Sequence, residues 1–222
     1  FALRCPTSNS STTAGAPACT GRWNLWRYTL GPVGALQQGT LERLTDSSDA
    51  DDVDPVFLPA GRGFVFTSNR QGRSRTLQAL GRNYLALDEY ERERVFNLHT
   101  MAADGTALTQ ISVNQSHDRN PVIRPNGDIL FSRWEHVAGR NRFTIFRARP
   151  DGTDLRMLGE GHDPTLSPDG KSICYTGHPP EGGVTVYVMN WDGSDKRRVV
   201  PTTSKVGATF PNWSPDSHQI VY

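Results

Sequence analysis

The sequence predicts an all-β fold, a β-propeller of four-stranded antiparallel blades, and three observations carry that prediction. A proline-led hairpin occurs four times, in "DDVDPVFLPAGRGFVFTSN" (51 to 69), "SHDRNPVIRPNGDILFSRW" (116 to 134), "GHDPTLSPDGKSICYTG" (161 to 177) and "ATFPNWSPDSHQIVY" (208 to 222). A second hairpin of alternating residues lies between them, in "NLHTMAADGTALTQIS" (97 to 112), "TIFRARPDGTDLRMLGE" (144 to 160) and "TVYVMNWDGSDKRRVV" (185 to 200), with a related stretch at 24 to 45. The leading prolines, Pro55, Pro121, Pro164 and Pro211, are separated by 66, 43 and 47 positions, so the unit recurs with a period near 43. Four short strands in a repeat of that length make a propeller blade, whose radial arrangement protects the sheet edges.

Each hairpin has a local cause. In the first type a second proline follows three residues after the leading one, then a turn and an apolar run ending in an aromatic residue. In the second type the turn contains Asp-Gly, at Asp104, Asp151 and Asp192. Glycine there accepts positive φ without steric cost, and the Asp side chain bonds nearby amides. Naming the strands a to d from the proline onward, the complete blades are expected at 53–112, 118–160 and 163–200. Partial blades are expected at 1–45 and 208–222, with an insertion at 69–95. The expectation is therefore one propeller segment that forms part of a larger ring.

With a net charge of +1, 9% aromatic and 21% charged residues, composition gives no reason to expect nucleic acid as a partner. No apolar run approaches the roughly 18 residues of a membrane helix. Cys5 and Cys19 bracket a Ser, Thr, Ala and Gly-rich loop, "CPTSNSSTTAGAPAC". A disulfide between them would contribute about 3 kcal/mol and imply an oxidising compartment; two unrelated thiols are the alternative. Cys174 alternates with Ile173 and Tyr175 and reads as a buried, unreactive thiol.

Topology places the candidate chemistry at one end. The d-to-a and b-to-c connections share an end of each blade, and they are irregular, whereas the Asp-Gly turns share the other. Variable loops on a rigid scaffold are where binding resides. Strand a is the innermost of a blade, so Asp52 and Asp54, His117 and Asp118, and His162 and Asp163 are expected near one channel mouth. There they would hold a divalent cation or polar ligand, or else serve as turn acceptors and solvated loop residues. The acidic run "DSSDADDVD" lacks the mid-loop glycine and closing glutamate of a helix-loop-helix calcium site and is expected to be a solvated charged loop. In the insertion, Leu77, Leu80, Tyr84, Leu87 and Tyr90 at spacings of three and four predict a short helix packed over the blade end, or a partner contact.

No Cys-x-x-Cys-His, His-Glu-x-x-His, P-loop or Gly-x-Ser-x-Gly motif occurs in the chain, so no catalytic residue is assigned. "DPTLSPDGKSICYTG" with "VTVYVMNWDGSDKRRVV" resembles the WD40-like repeats of the TolB type, over most of residues 24 to 222. "DDVDPVFLP", "VFNLHTMAADGTALTQISVNQSHDRNPVIRPNGDILFSRWEH" and "CPTSNSS" resemble the propeller domain of hydrazine synthase alpha-subunit-like proteins. The resemblance implies a periplasmic or secreted protein, with haem supplied only by another domain or subunit. The resulting expectation is a scaffold whose loop-rich face binds a protein partner, a polar ligand or further domains of the same polypeptide. The alternatives are the propeller of a larger haem-containing oxidoreductase, or of a serine hydrolase whose catalytic domain lies elsewhere.

Overall fold

A computed structural model describes residues 1–4, 21–82, 86–87, 92–137, 140–199 and 207–222. Among them lie three four-stranded antiparallel sheets, each a meander in chain order. The first comprises β4 (Asp52–Phe57), β5 (Phe64–Ser68), β6 (Asn97–Met101) and β7 (Thr109–Gln110). The second comprises β8 (Asp118–Ile123), β9 (Ile129–Val137), β10 (Arg140–Ala148) and β11 (Arg156–Glu160). The third comprises β12 (His162–Leu166), β13 (Ser172–Gly177), β14 (Thr185–Asn190) and β15 (Arg197–Arg198). A three-stranded sheet precedes them, β1 (Ala2–Arg4), β2 (Trp23–Thr29) and β3 (Thr40–Arg43), and a pair follows, β16 (Asn212–Trp213) and β17 (Ile220–Val221). The first strands β4, β8, β12 and β16 pack against one another in succession, which is the blade arrangement expected from the repeat.

The core lies between the sheets. On β5, Val65 joins Leu58 and Leu98 against Ile129, Phe131 and Ala148 of the next sheet, while Phe64 and Phe66 turn the other way to Leu25. On β9, Leu130 joins Ile145 and Leu158 against Ile173, Tyr175, Met189 and Trp191. Side chains alternate along a strand, so a strand covered on both faces needs apolar residues at consecutive positions. This is why "FVF", "ILF" and "ICY" read as unbroken apolar runs. Cys174 within the last of these is buried, and burial pushes its thiol up to about 11, with Thr165 Oγ1 2.8 Å from its sulfur.

The Asp-Gly turns repeat one hydrogen-bond pattern. The carboxylates of Asp104, Asp151 and Asp192 each accept the backbone N–H two residues on, at 3.0, 2.9 and 2.9 Å, and also the hydroxyl of Thr106, Thr153 and Ser194. These bonds favour the ionised form and hold all three carboxyls below their ordinary range. The glycine that follows does two things. Gly152 has φ of 82°, and a Cβ on it would stand 2.3 Å from the Ile111 carbonyl oxygen of the preceding sheet, so the turn and the inter-sheet contact both require glycine.

Strand a carries a device the repeat alone did not reveal. The residue before each leading proline has positive φ: Asp54 53°, Asn120 55°, Asp163 50° and Phe210 53°. Asp and Asn tolerate this region, whereas Phe is an outlier there. At the first three sites the ladder to strand b shifts register, between Val53 and Val56, Arg119 and Val122, and His162 and Thr165. Each is a β-bulge that bends the strand entering the blade.

The insertion contains the short helix expected of it, α1 (Gly72–Ala79). Leu80 is 71% exposed and Leu87 38%, while Tyr84 and Tyr90 lie outside the described residues. One anchor is polar. Buried Gln71 donates to the carbonyls of Ala86 at 2.6 Å and Val95 at 3.1 Å and accepts the Ala86 N–H at 3.0 Å. One side chain therefore ties the two ends of the insertion together. Cys5 and Cys19 also lie outside the described residues.

Two predictions follow from burial. Phe131, with no exposed surface, sits at the contact between the first two full sheets, and Phe131→Ala should cost about 3–5 kcal/mol in denaturant unfolding. His99 is buried against Phe66, and desolvation lowers its pKa to about 4. The unfolded chain titrates this group near 6.5, so between those values the unfolded state binds more protons and stability falls as pH drops from about 6.5 towards 4. The loss should reach roughly 3 kcal/mol in pH-dependent unfolding, and His99→Phe should remove that part of the slope.

Candidate functional site

The six residues predicted at the channel mouth arrive at one end of the sheets in different states. Asp52 and Asp118 open β4 and β8, three residues before the prolines, and neither has exposed surface. Arg70 pairs with Asp52 through two nitrogens. Arg133 grips Asp118 through Nε at 2.8 Å and a terminal nitrogen at 2.9 Å, and its guanidinium lies 4.7 Å from the Phe146 ring centre. The third full sheet has Gly161 at the corresponding position. A Cβ there would meet the Thr176 carbonyl oxygen at 2.5 Å, and stacked Tyr175 and Tyr187 rings, 5.6 Å apart, lie alongside.

Asp54 faces the following blade. Its Oδ2 accepts Arg119 Nε at 2.8 Å and the Thr67 hydroxyl at 3.0 Å, so an ion pair joins β4 to β8. His117 accepts the Phe96 N–H on Nδ1 at 3.2 Å, which leaves its proton on Nε2 when neutral. His162 Nδ1 lies 2.7 Å from its neighbour's carboxylate, and the Asp163 N–H donates to Ser132 Oγ of the preceding sheet at 3.0 Å. Among the described residues no three His, Cys, Asp or Glu side chains gather closely enough to share a cation.

The acidic run is solvated at Asp46 and Asp49 but is also paired with arginines. Asp49 pairs with Arg75 at 2.7 Å, Asp51 with Arg22 at 3.2 Å, Asp52 with Arg70, and Asp54 with Arg119. The arginines come from three stretches outside the run, around residues 22, 70–75 and 119, which is why the run looks unbalanced when read alone. A cavity of about 750 Å³ adjoins it, lined among others by Arg4, Arg22, Trp23, Asp54, Phe96 and Arg119.

The structure also assembles a feature that the sequence reading missed. A row of rings runs along the loop-rich end across the three full sheets. It passes from Phe96 to His117 (5.9 Å between centroids), Trp134 (5.5 Å), Phe143 (5.6 Å) and His162 (4.9 Å). His178 closes on His162 at 5.2 Å, and His136 stands edge-on to Trp134 at 5.6 Å. Trp134 is covered on both faces, so the row presents ring edges more than faces. Most members are half-buried and His178 is exposed. The available signal was position: four of the six histidines, His117, His136, His162 and His178, flank strands a and b at this end. His178 is lowered in pKa by burial and then by His162.

Comparison with known proteins bears on the fold. No family model matches the chain. An uncharacterised protein of Agrobacterium fabrum is 24% identical over 145 residues, covering 59% of this chain and 48% of that protein, so the chain spans about half the length of this curated relative. A putative TolB from Agrobacterium tumefaciens superposes with a TM-score of 0.55 at 20% identity, over 89% of this chain and 64% of that one. Hydrazine synthase from Kuenenia stuttgartiensis gives 0.60 at 17% identity, over 89% of this chain and 32% of that one. The fold is a β-propeller, as in these two structures. Among the described residues no helix is long and apolar enough to cross a membrane.

The Asp118–Arg133 pair supplies the test of this region. Asp118→Ala strands a guanidinium that is itself nearly buried and should cost about 3–5 kcal/mol in equilibrium unfolding. Asp118→Leu combined with Arg133→Leu should recover most of that loss. A single variant within 1 kcal/mol of the parent would show that the pair is solvated.

Proposed function

We propose that this propeller is a binding scaffold, working in the periplasm or outside the cell, whose loop-rich end receives a protein partner along the ring row. The single observation behind the reading is that row. It is a continuous, half-exposed run of aromatic and imidazole rings crossing three sheets, on the end where the longest connections gather. Aromatic side chains bring large contact area at low entropic cost and are enriched at protein interfaces. The sheets beneath them are locked by buried contacts between blades, so the row is presented without an ordering cost on binding. The opposite end is built from the short Asp-Gly turns.

A photo-crosslinking residue placed at His136 should trap a discrete partner in the native cells, whereas the same residue at Asp151, on the opposite end, should trap none. Equal adducts from both positions, or none from either, would overturn the docking reading. An absorption spectrum of the natively purified protein separates a scaffold from a propeller carried in a haem assembly: a colourless preparation is expected, and a Soret band would displace the scaffold reading. The compartment depends on Cys5 and Cys19. Non-reducing peptide mapping should recover them as one linked pair, and free thiols at both positions would remove the argument for an oxidising environment.

A further inference from the structure

Two imidazoles at one end of the ring row, His162 and His178, stand as close as two ligands of one cation. Adjacent residues on a strand normally point to opposite faces. The positive φ of Asp163, 50°, breaks that alternation and brings its Oδ2 to 2.7 Å from His162 Nδ1. The His162 ring thus has one nitrogen fixed by a carboxylate. His178 lies just past the end of β13. An acceptor behind one ring nitrogen fixes the tautomer and leaves the lone pair of the other nitrogen available to a metal.

The spacing agrees. The two rings are 5.2 Å apart between centroids and inclined at 40°. Two imidazoles on one tetrahedral cation, with bonds of about 2.0–2.1 Å, place their ring centres roughly 5 Å apart. Phe143 packs across both rings, at 4.9 Å from His162 and 6.4 Å from His178, which limits their freedom to turn away from each other.

We propose that His162 and His178 bind a divalent transition cation of the zinc, nickel or copper type, with Asp163 as the positioning residue behind His162. Imidazole suits these ions, whereas calcium and magnesium require oxygen donors. With no third protein ligand among the described residues, the remaining coordination positions fall to water. His178 is exposed and the His162 side chain is 20% exposed, so the cation has an entry path from solvent. The site stands whether or not a protein docks on the row.

Zinc titration of the intact chain by isothermal calorimetry tests it. One saturable site is expected. His162→Ala and His178→Ala should each abolish it, and Asp163→Asn should weaken it by about tenfold or more with an unchanged melting temperature, Asn also tolerating positive φ. His218→Ala, on the turn between β16 and β17, should leave the affinity unchanged. Absence of zinc binding at millimolar concentration, or undiminished binding in His178→Ala with native circular dichroism, would overturn the proposal. Neither result depends on the crosslinking outcome at His136.

Discussion

A blade of this protein can bury its apolar surface only against another blade. The middle strands β5, β9 and β13 carry apolar side chains on both faces, and consecutive residues serve different neighbours: Phe64 and Phe66 look back towards Leu25, and Val65 looks forward to Ile129 and Phe131. No sheet has a private core, so the stability of each depends on those beside it, as in other quasi-repetitive folds. The small devices of the repeat serve the same contact. The Asp-Gly turn brings a bare glycine backbone against the preceding sheet, and the bulge before Pro55, Pro121 and Pro164 bends strand a into its place beside the next.

Around the inner ends of the strands the repeat gives way to individual solutions. Two blades enter on a buried aspartate gripped by an arginine, and the third enters on glycine with stacked tyrosines beside it. A buried ion pair and a packed apolar contact can be nearly equivalent in stability, so a repeat can exchange one for the other without losing the fold. Once formed, however, the charged version cannot lose one partner cheaply. The aspartates that look like ligands in the linear sequence are thus divided among ion pairs, and the chemistry left accessible is that of the imidazoles and rings above them.

The rigidity of this lower layer is what makes the upper one usable. The ring row takes members from d-to-a loops, from strand ends and from the residue following β13, and only the fixed crossing of the blades lines them up. His162 and His178 are 16 positions apart in the chain yet stand 5.2 Å apart between ring centres. Loops on a mobile support would spend binding energy on ordering themselves, whereas these are held from below.

The sequence by itself determined the propeller: the PxxxP hairpins, the Asp-Gly turns and the period near 43 are local features, and turn chemistry and strand periodicity act over a few residues. It also determined which end carries irregular loops, and that Cys174 is buried. Tertiary structure alone decided the partners of the charges, because Arg22, Arg75, Arg119 and Arg133 reach their aspartates across 15 to 65 positions of chain. It decided that Gln71, a residue with no hydrophobic pattern to mark it, ties the insertion to Ala86 and Val95. It decided the ring row too, since lateral contact between blades has no period in the sequence and exists only where rigid sheets bring distant strand ends side by side.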